Sequence, residues 1–333
     1  MGQIILVDNL IAETRSLLDE DNRVSVSDID DILPALNRAQ NYAANILARH
    51  YESPMLTKVE VPTVSGQMEY DIPEDAFEQR LEKLEARVGN SFYPLKRIDY
   101  RDISLYENKT STSIPYYYVI VGTRFRIIPA SNSAYPLRAW YLKDPPPLVT
   151  SQGRINIVNA AGNYIIVDAV GEDITTEADQ LNSYINVIDA QTGRRKATFQ
   201  VQNVAGSRIN FKTVPTRSTV LNTAIDTSMS SLLANTSDEE GPDVVIEPDD
   251  HICVIKGSCV PFFKKPFSNF LVQYAIAELR RKLGGAAELE LRVLEGLEEQ
   301  VERSWVGQEN TRRVKKANGN WGLPIRRYYG TRS

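Results

Sequence analysis

The sequence is poor in the residues that build metal sites and many catalytic sites. Its 333 residues include two cysteines and two histidines, whereas a structural zinc site needs four ligands at characteristic spacings. Cys253 and Cys259 both fall within the largely apolar run 251–263, which predicts two buried thiols. His50 and His251 do not complete a zinc-binding pattern with them, so structural zinc is excluded.

Motifs for nucleophilic or nucleotide chemistry are also missing. No histidine lies near a plausible Ser or Cys nucleophile in sequence, and neither G-x-x-x-x-G-K-[ST] nor G-x-G-x-x-G after a strand occurs. The adjacent carboxylates Asp30–Asp31 and Asp249–Asp250 are more typical of helix caps and solvated groups than of the facing pair in a glycosidase. The sequence therefore predicts a protein that is not an enzyme and has no cofactor.

Long apolar runs are absent as well. No stretch reaches the roughly 18 to 20 apolar residues that cross a bilayer. The start, Met1–Leu6, lacks the basic and long apolar regions of a signal peptide. Leu6 stands where a myristoylation motif needs Ser or Thr. We expect no membrane partner.

Acidic residues are missing from the last segment, 311–333, which contains seven Lys or Arg residues. Because the whole chain has a formal charge of −5, residues 1–310 carry −12. The segment also holds Trp321, Tyr328 and Tyr329, which are unusual in a disordered linker. Single-stranded nucleic acid is one partner for such a segment, but the acidic body would repel it. The sequence favours a protein-docking arm that orders on binding.

Helical periodicity occurs near both ends of the chain. Residues 2–20 predict one helix, and a second begins with Asp31 as N-cap, has Pro34 in its first turn and runs to about His50. These two are expected to form an antiparallel pair. Two further helices are predicted, one from about Phe267 that Gly284-Gly285 ends, and one over 286–308.

Alternating, β-branched or aromatic runs between these ends predict short strands. Gly122-Thr123 predicts a hairpin between two of them, and 101–107 predicts a short helix. The fold class is therefore α+β, with a bundle of two N-terminal and two C-terminal helices packed on a small antiparallel β region. The predicted strands are 57–62, 67–72, 80–88, 92–98, 116–121, 124–129 and 137–142.

Three consecutive prolines, Pro145–Pro147, indicate a domain boundary, because they cannot join a sheet interior. About five strands follow, enough for an inserted all-β barrel or sandwich, and 213–237 predicts a long polar loop. The predicted domains are a main body of 1–148 and 246–310, a β insert of 149–245 and an arm of 311–333. The predicted insert strands are 154–158, 164–169, 184–188, 197–204 and 208–211.

Seven acids and no base lie between Asp238 and Asp250. A solvated loop is the plain interpretation. The alternative is a surface that meets the basic arm of a neighbouring molecule. A calcium loop is disfavoured because the spacing does not match D-x-D-x-D-G.

The order of these parts resembles the head-to-tail adaptor proteins of tailed bacteriophages, also called connector or head completion proteins. The resemblance covers about residues 1–148 and 246–333 and depends on the order of segments rather than on an invariant motif. The segments that carry it are SVSDIDDILPALNRAQNYAANILARHY, MEYDIPEDA, YYYVIVGTRFRIIPA and FLVQYAIAELRRKLGGAAELELRVLEGLEEQVERSW.

The resemblance implies a structural virion protein, assembled in the host cytoplasm and located at the head–tail junction. It implies a homo-oligomeric ring, typically a dodecamer, that joins the portal protein to a downstream tail, nozzle or fibre protein. Packaged DNA would pass through this ring without sequence-specific binding. Carried onto this chain, the portal-docking residues are Arg312, Arg313, Lys315, Lys316, Trp321, Leu323, Ile325, Arg326, Arg327, Tyr328 and Tyr329.

The β insert is a departure from compact adaptors, and we expect it to project from the ring toward a tail component. The alternative is a tail or baseplate binding module in which the insert recognises a receptor or glycan. Ring formation or portal binding favours the adaptor, whereas carbohydrate binding by the insert favours the module.

Overall fold

The structure is a computed structural model. It describes residues 5–18, 26–49, 55–107, 114–131, 136–159, 162–174, 184–190, 193, 195–212, 246–255, 257–263, 267–284 and 292–299.

The N-terminal helices are α1, Val7–Leu17, and α2, Leu33–Leu47, and a π-helical turn, Asp28–Ile32, leads directly into α2. Asp30 N donates to the Ser27 hydroxyl at 3.2 Å, and Ser27 N donates to the Asp31 carboxylate at 2.9 Å. Ser27 is therefore the N-cap. The prediction of Asp31 as N-cap was wrong, because Asp31 lies inside the turn and bonds back to the cap.

Helix α3, Ile103–Glu107, is a single short turn. The two C-terminal helices are α4, Phe267–Lys282, and α5, 292–299. Both α1 and α2 pack against α4, and α1 also contacts the π-helical turn that leads into α2. The antiparallel pairing of the two N-terminal helices stays a prediction. The helix α4 is apolar around much of its circumference and buries Phe270, Leu271, Val272, Ala275, Ile276 and Leu279.

Two four-stranded sheets pack face to face beside the helices. The first has the order β1-β8-β3-β4 and the second β2-β7-β6-β5. Their facing side chains form one core that includes Leu84, Phe125, Ile127, Leu137 and Ala139. The strands are β1, Leu56–Pro62; β2, Glu69–Asp71; β3, Ala76–Val88; β4, Ser91–Pro94; β5, Lys96–Arg97; β6, Tyr117–Val121; β7, Arg124–Ile128; and β8, Pro136–Lys143.

The predicted hairpin is confirmed. Strands β6 and β7 pair antiparallel from Val121 opposite Arg124, and Gly122 has a φ of 61°. A two-residue connection of this kind needs a left-handed backbone, which glycine adopts without strain.

The next six strands form a closed barrel in the order β10-β13-β12-β11-β14-β9. Its core is filled by aliphatic side chains and by Phe199 stacked on Phe211, with ring centroids 4.6 Å apart. The strands are β9, Gly153–Asn159; β10, Tyr164–Val167; β11, Tyr184–Ile188; β12, Arg195–Ala205; β13, Arg208–Phe211; and β14, His251–Val254.

The sixth barrel strand, β14, lies beyond residue 245, where the sequence analysis ended the insert. It pairs with β11 on one side and β9 on the other, and so closes the barrel. The α+β class with several antiparallel sheets is confirmed. The assembly of all four long helices into one bundle stays a prediction.

Candidate functional site at the junction of the helices and the barrel

Two amide side chains on α2 hold the chain where it enters the barrel. Asn37 Nδ2 donates to the Leu148 carbonyl at 3.1 Å, and Leu148 N donates to Asn37 Oδ1 at 2.6 Å. Gln40 Nε2 donates to the Pro146 carbonyl at 2.8 Å. The proline segment is therefore fixed against a helix rather than being a free spacer.

Gln40 also holds the chain where it leaves the barrel. Its Oε1 accepts a hydrogen bond from Phe262 N at 3.1 Å, and the residue is 1% exposed. The entering and leaving segments also bond to each other, because Ser258 N donates to the Pro147 carbonyl at 2.9 Å and Val149 N donates to the Ser258 carbonyl at 3.1 Å. The barrel is thus attached to the helices through two paired connections.

This pair of amides was not among the site residues predicted from the sequence. Asn37 and Gln40 are three residues apart and lie on one side of α2. Gln40 sits among the apolar positions Leu36, Ala39 and Ala43 of that helix. A long polar side chain inside an apolar helix face was the available signal, because a buried amide must find hydrogen-bond partners.

We expect Gln40→Leu to lower the free energy of unfolding by about 2–4 kcal/mol, because it leaves the half-buried Pro146 carbonyl and Phe262 N–H without their hydrogen-bond partner. Urea unfolding monitored by circular dichroism measures the change. The matched control is Asn45→Leu on the same helix, since the Asn45 amide is exposed and, within the described ranges, bonds only to the Asn41 carbonyl. Equal stability of Gln40→Leu and Asn45→Leu would contradict the assigned role.

A cleft of about 590 Å³ lies between the start of α1 and the barrel. Asp8 of α1 accepts a hydrogen bond from Ser151 N at 3.2 Å, and burial raises the pKa of the Asp8 carboxyl. Burial and, secondly, the charge of Arg154 lower the pKa of His251. The Ser151 hydroxyl bonds to the Gly153 carbonyl instead of to a histidine. The described lining residues therefore tie α1 to the barrel and form no nucleophile–base pair.

Asp250, the last residue of the acidic run 238–250, is paired with a lysine of the same chain. Asp250 is 1% exposed, and both its carboxylate oxygens accept from Lys196 Nζ, at 3.0 and 2.9 Å. Asp189 and Glu247 lie 3.4 and 3.9 Å from the same ammonium group. Burial raises the pKa of Asp250, although its hydrogen bonds oppose that shift.

Asp249 turns to the surface and pairs with Arg154. The two neighbouring carboxylates therefore do not face a common reaction centre. The solvated-loop interpretation is wrong for Asp250, because this carboxylate is paired and buried. The acids at 238–243 lie outside the described residues, so the predicted contact with a neighbour's arm stays a prediction for them.

Cys253 and Cys259 are both buried free thiols, as predicted. A hydrogen bond with Cys253 and burial strongly raise the pKa of the Cys259 thiol. Within the described ranges, no group of three or more His, Cys, Asp or Glu side chains is placed to hold a metal ion. No described helix is long and apolar enough to cross a membrane.

The helix that leads toward the basic arm packs on the helical layer. Leu294 of α5 is 6% exposed in the helical core, and burial together with a hydrogen bond to Glu298 raises the pKa of Tyr42 on α2. Tyr42 follows Gln40 by two residues, which is about 200° around a helix. The barrel connections and α5 therefore contact different sides of α2.

The predicted portal-docking residues, from Arg312 to Tyr329, lie outside the described residues. The structure therefore neither brings them together nor separates them. Their assignment stays a prediction from the sequence.

A family model described as SU10 adaptor protein matches residues 6–193. The match covers α1 to α3, both four-stranded sheets and the first three barrel strands, β9 to β11. No curated protein matches the chain.

Proposed function

Because the chain belongs to the SU10 adaptor protein family, we propose that it forms a ring that joins the phage portal to the tail and docks on the portal through residues 311–333. Membership of this family makes the protein a structural adaptor of a bacteriophage and a virion component. The ring, the portal contact and the position at the head–tail junction are the proposed steps.

The observation that carries the proposal is the two-sided use of α2. On one side, Asn37 and Gln40 bind both barrel connections. On another side, Tyr42 contacts the helix that precedes the arm in sequence. This arrangement supports a subunit that offers the barrel to one partner and the arm to another, as a protein placed between portal and tail requires.

The family match supports including the barrel in the adaptor. It extends to residue 193 and so takes in β9, β10 and β11. We therefore assign the barrel to the downstream contact, with a tail, nozzle or fibre protein as its partner. A structural role also accounts for two carboxylates: Asp8 joins α1 to Ser151 beside the barrel, and the buried Asp250 pairs with Lys196 within it.

A ring arises when one face of a subunit meets a different face of the next, and such heterologous contacts close if the rotation allows. The purified full chain, measured by mass photometry alone and with the portal protein, tests this. We expect closed homo-oligomers or a single stoichiometric complex with the portal. A chain that stays monomeric and does not bind the portal would overturn the proposed function.

A further inference from the structure

The outer surface of the barrel carries a row of polar side chains that crosses four strands. Asn203 lies opposite Asn210, Asn210 opposite Tyr164, and Tyr164 opposite Asn159. Residues next to this row, such as Ile165 and Ile209, are fully buried in the barrel core. The row therefore faces outward, because side chains alternate between the two sides of a strand.

Side chains of this row hold the Arg208 side chain in one orientation. The Arg208 guanidinium carbon lies 3.6 Å from the centroid of the Tyr164 ring, and Arg208 Nε donates to Asn210 Oδ1 at 2.9 Å. Asn210 in turn donates to Asn203. Asn159 Nδ2 donates to the Tyr164 hydroxyl at 2.8 Å, which holds the ring beneath the guanidinium.

No described residue is hydrogen-bonded to the terminal amino groups of Arg208. In the part of the chain that the structure describes, no carboxylate lies within ion-pair distance of Arg208, and the residue is exposed. A guanidinium held by stacking and by its Nε loses less side-chain freedom when its outer N–H groups bind a carboxylate. Its planar fork matches the two oxygens of a carboxylate.

An apolar contact lies beside this fork. Ile166 is opposite Arg208 on one side and opposite Ile157 on the other, and Ile157 is 53% exposed. An ordered arginine next to an exposed aliphatic side chain is typical of the residues that dominate binding at protein interfaces, where arginine is enriched.

We infer that this face, consisting of Arg208, Tyr164, Asn210 and Ile157, binds a protein partner through an Asp or Glu side chain flanked by an apolar residue. The partner's carboxylate accepts hydrogen bonds from the outer N–H groups of Arg208, and the partner's apolar residue packs on Ile157. The inference rests on the proposed function, because it assigns this face of the barrel to the downstream tail contact.

A protein fits this face better than a neutral glycan. Sugars bind aromatic side chains by stacking on an open ring face, whereas the outward face of Tyr164 is covered by the Arg208 guanidinium. The polar atoms of Asn159 and Asn210 are largely used by the row, by Arg208 and by Gly162, whose N–H donates to Asn159 Oδ1.

The test is a photo-cross-link in the assembled virion. Benzoylphenylalanine replaces Ile157 in the full chain, and mass spectrometry identifies the cross-linked peptide. We expect a peptide of another virion protein that contains Asp or Glu. The control position is Arg195, which is exposed at the opposite end of β12 and should give no such cross-link.

Variants of Arg208 show whether the fork is required. We expect Arg208→Ala and Arg208→Lys each to reduce the cross-link at least tenfold, since lysine keeps the charge but not the planar fork, while Arg195→Ala leaves it unchanged. Arg208→Glu should regain the cross-link when the partner's acid is changed to arginine. Thermal unfolding of each variant shows whether a reduced cross-link reflects a lost contact or a lost fold. If Arg208→Ala does not fold, Arg208→Lys is the variant that tests the contact.

Three outcomes overturn the inference: a cross-link to a glycan, a cross-link to a second copy of this chain, or a cross-link that Arg208→Ala leaves unchanged. Portal binding by the same variants is measured in parallel. Intact portal binding with a cross-link independent of Arg208 contradicts only this inference. Failure of the unsubstituted chain to bind the portal contradicts the proposed function itself.

Discussion

Removing residues 311–333 is expected to weaken binding of the chain to the portal protein at least 100-fold, or about 2.8 kcal/mol at 25 °C. The segment supplies seven basic residues and three large aromatic residues. Truncating a few buried aromatic or arginine contacts is enough for such a loss, because they contribute most of the binding energy at interfaces. Surface plasmon resonance with immobilised portal measures the change.

The two kinds of residue in the arm should act on different rate constants. Replacing Arg312, Arg313, Lys315 and Lys316 by glutamine should slow association and reduce its salt dependence. Replacing Trp321, Tyr328 and Tyr329 by alanine should instead speed dissociation, because buried contacts are lost.

The matched control for the charge variant replaces four exposed bases of the body by glutamine, which removes the same number of charges. These bases are Lys58, Arg87, Arg101 and Arg195. Portal binding that survives deletion of 311–333, or that falls equally in the control, would show that the arm is not the docking element.

Lys196→Met is expected to lower the free energy of unfolding by about 3–5 kcal/mol, because it leaves the buried Asp250 carboxylate without a counter-charge. Lys196 Nζ is the group that both oxygens of Asp250 bind, and the Asp250 side chain is 2% exposed. Chemical denaturation at pH 7 measures the loss. Its control is Lys143→Met, since the Lys143 side chain is 37% exposed and pairs with Asp75, which is 47% exposed, and an exposed ion pair contributes at most about 1 kcal/mol.

The effect of Lys196→Met should depend on pH. Burial already raises the pKa of Asp250 in the intact protein, and removing the ammonium raises it further. As the pH falls through that pKa, the carboxyl takes up a proton and the unpaired buried charge disappears, so the difference in stability from the unsubstituted protein should shrink. If Lys196→Met lowered the free energy of unfolding equally at every pH, the unpaired charge of Asp250 would not be the cause of the loss.

Local patterns in the sequence predicted the elements well. The hairpin at Gly122 was predictable because a two-residue turn with a left-handed glycine constrains both flanking strands. The first five barrel strands were predictable because each is a short apolar or alternating run between turn residues. These features depend on residues that are close in sequence.

The relations between distant elements were not predictable in this way. Strand β14 is apolar and buried between β9 and β11, so its sequence shows an apolar run without a strand period. The packing of α4 against both α1 and α2 joins helices from opposite ends of the chain. The pairing of Lys196 with Asp250 likewise joins residues from two separate strands and their flanks.

In the candidate site too, local features could be predicted from the sequence and contacts between distant residues could not. The chemistry of the arm is visible in its composition. The role of Gln40 is not visible in the sequence, because an amide in an apolar helix face predicts only that some hydrogen-bond partner exists. Its partners, Pro146 and Phe262, are 106 and 222 residues away in sequence, so their identity required the structure.

The most direct test of the adaptor function is a cryo-electron microscopy reconstruction of the full chain bound to the portal protein. We expect a ring coaxial with the portal, residues 311–333 against the portal surface, and the barrels on the far side with the Arg208 face toward the tail. A reconstruction in which the barrels contact the portal, or in which the chain binds without forming a ring, would contradict it.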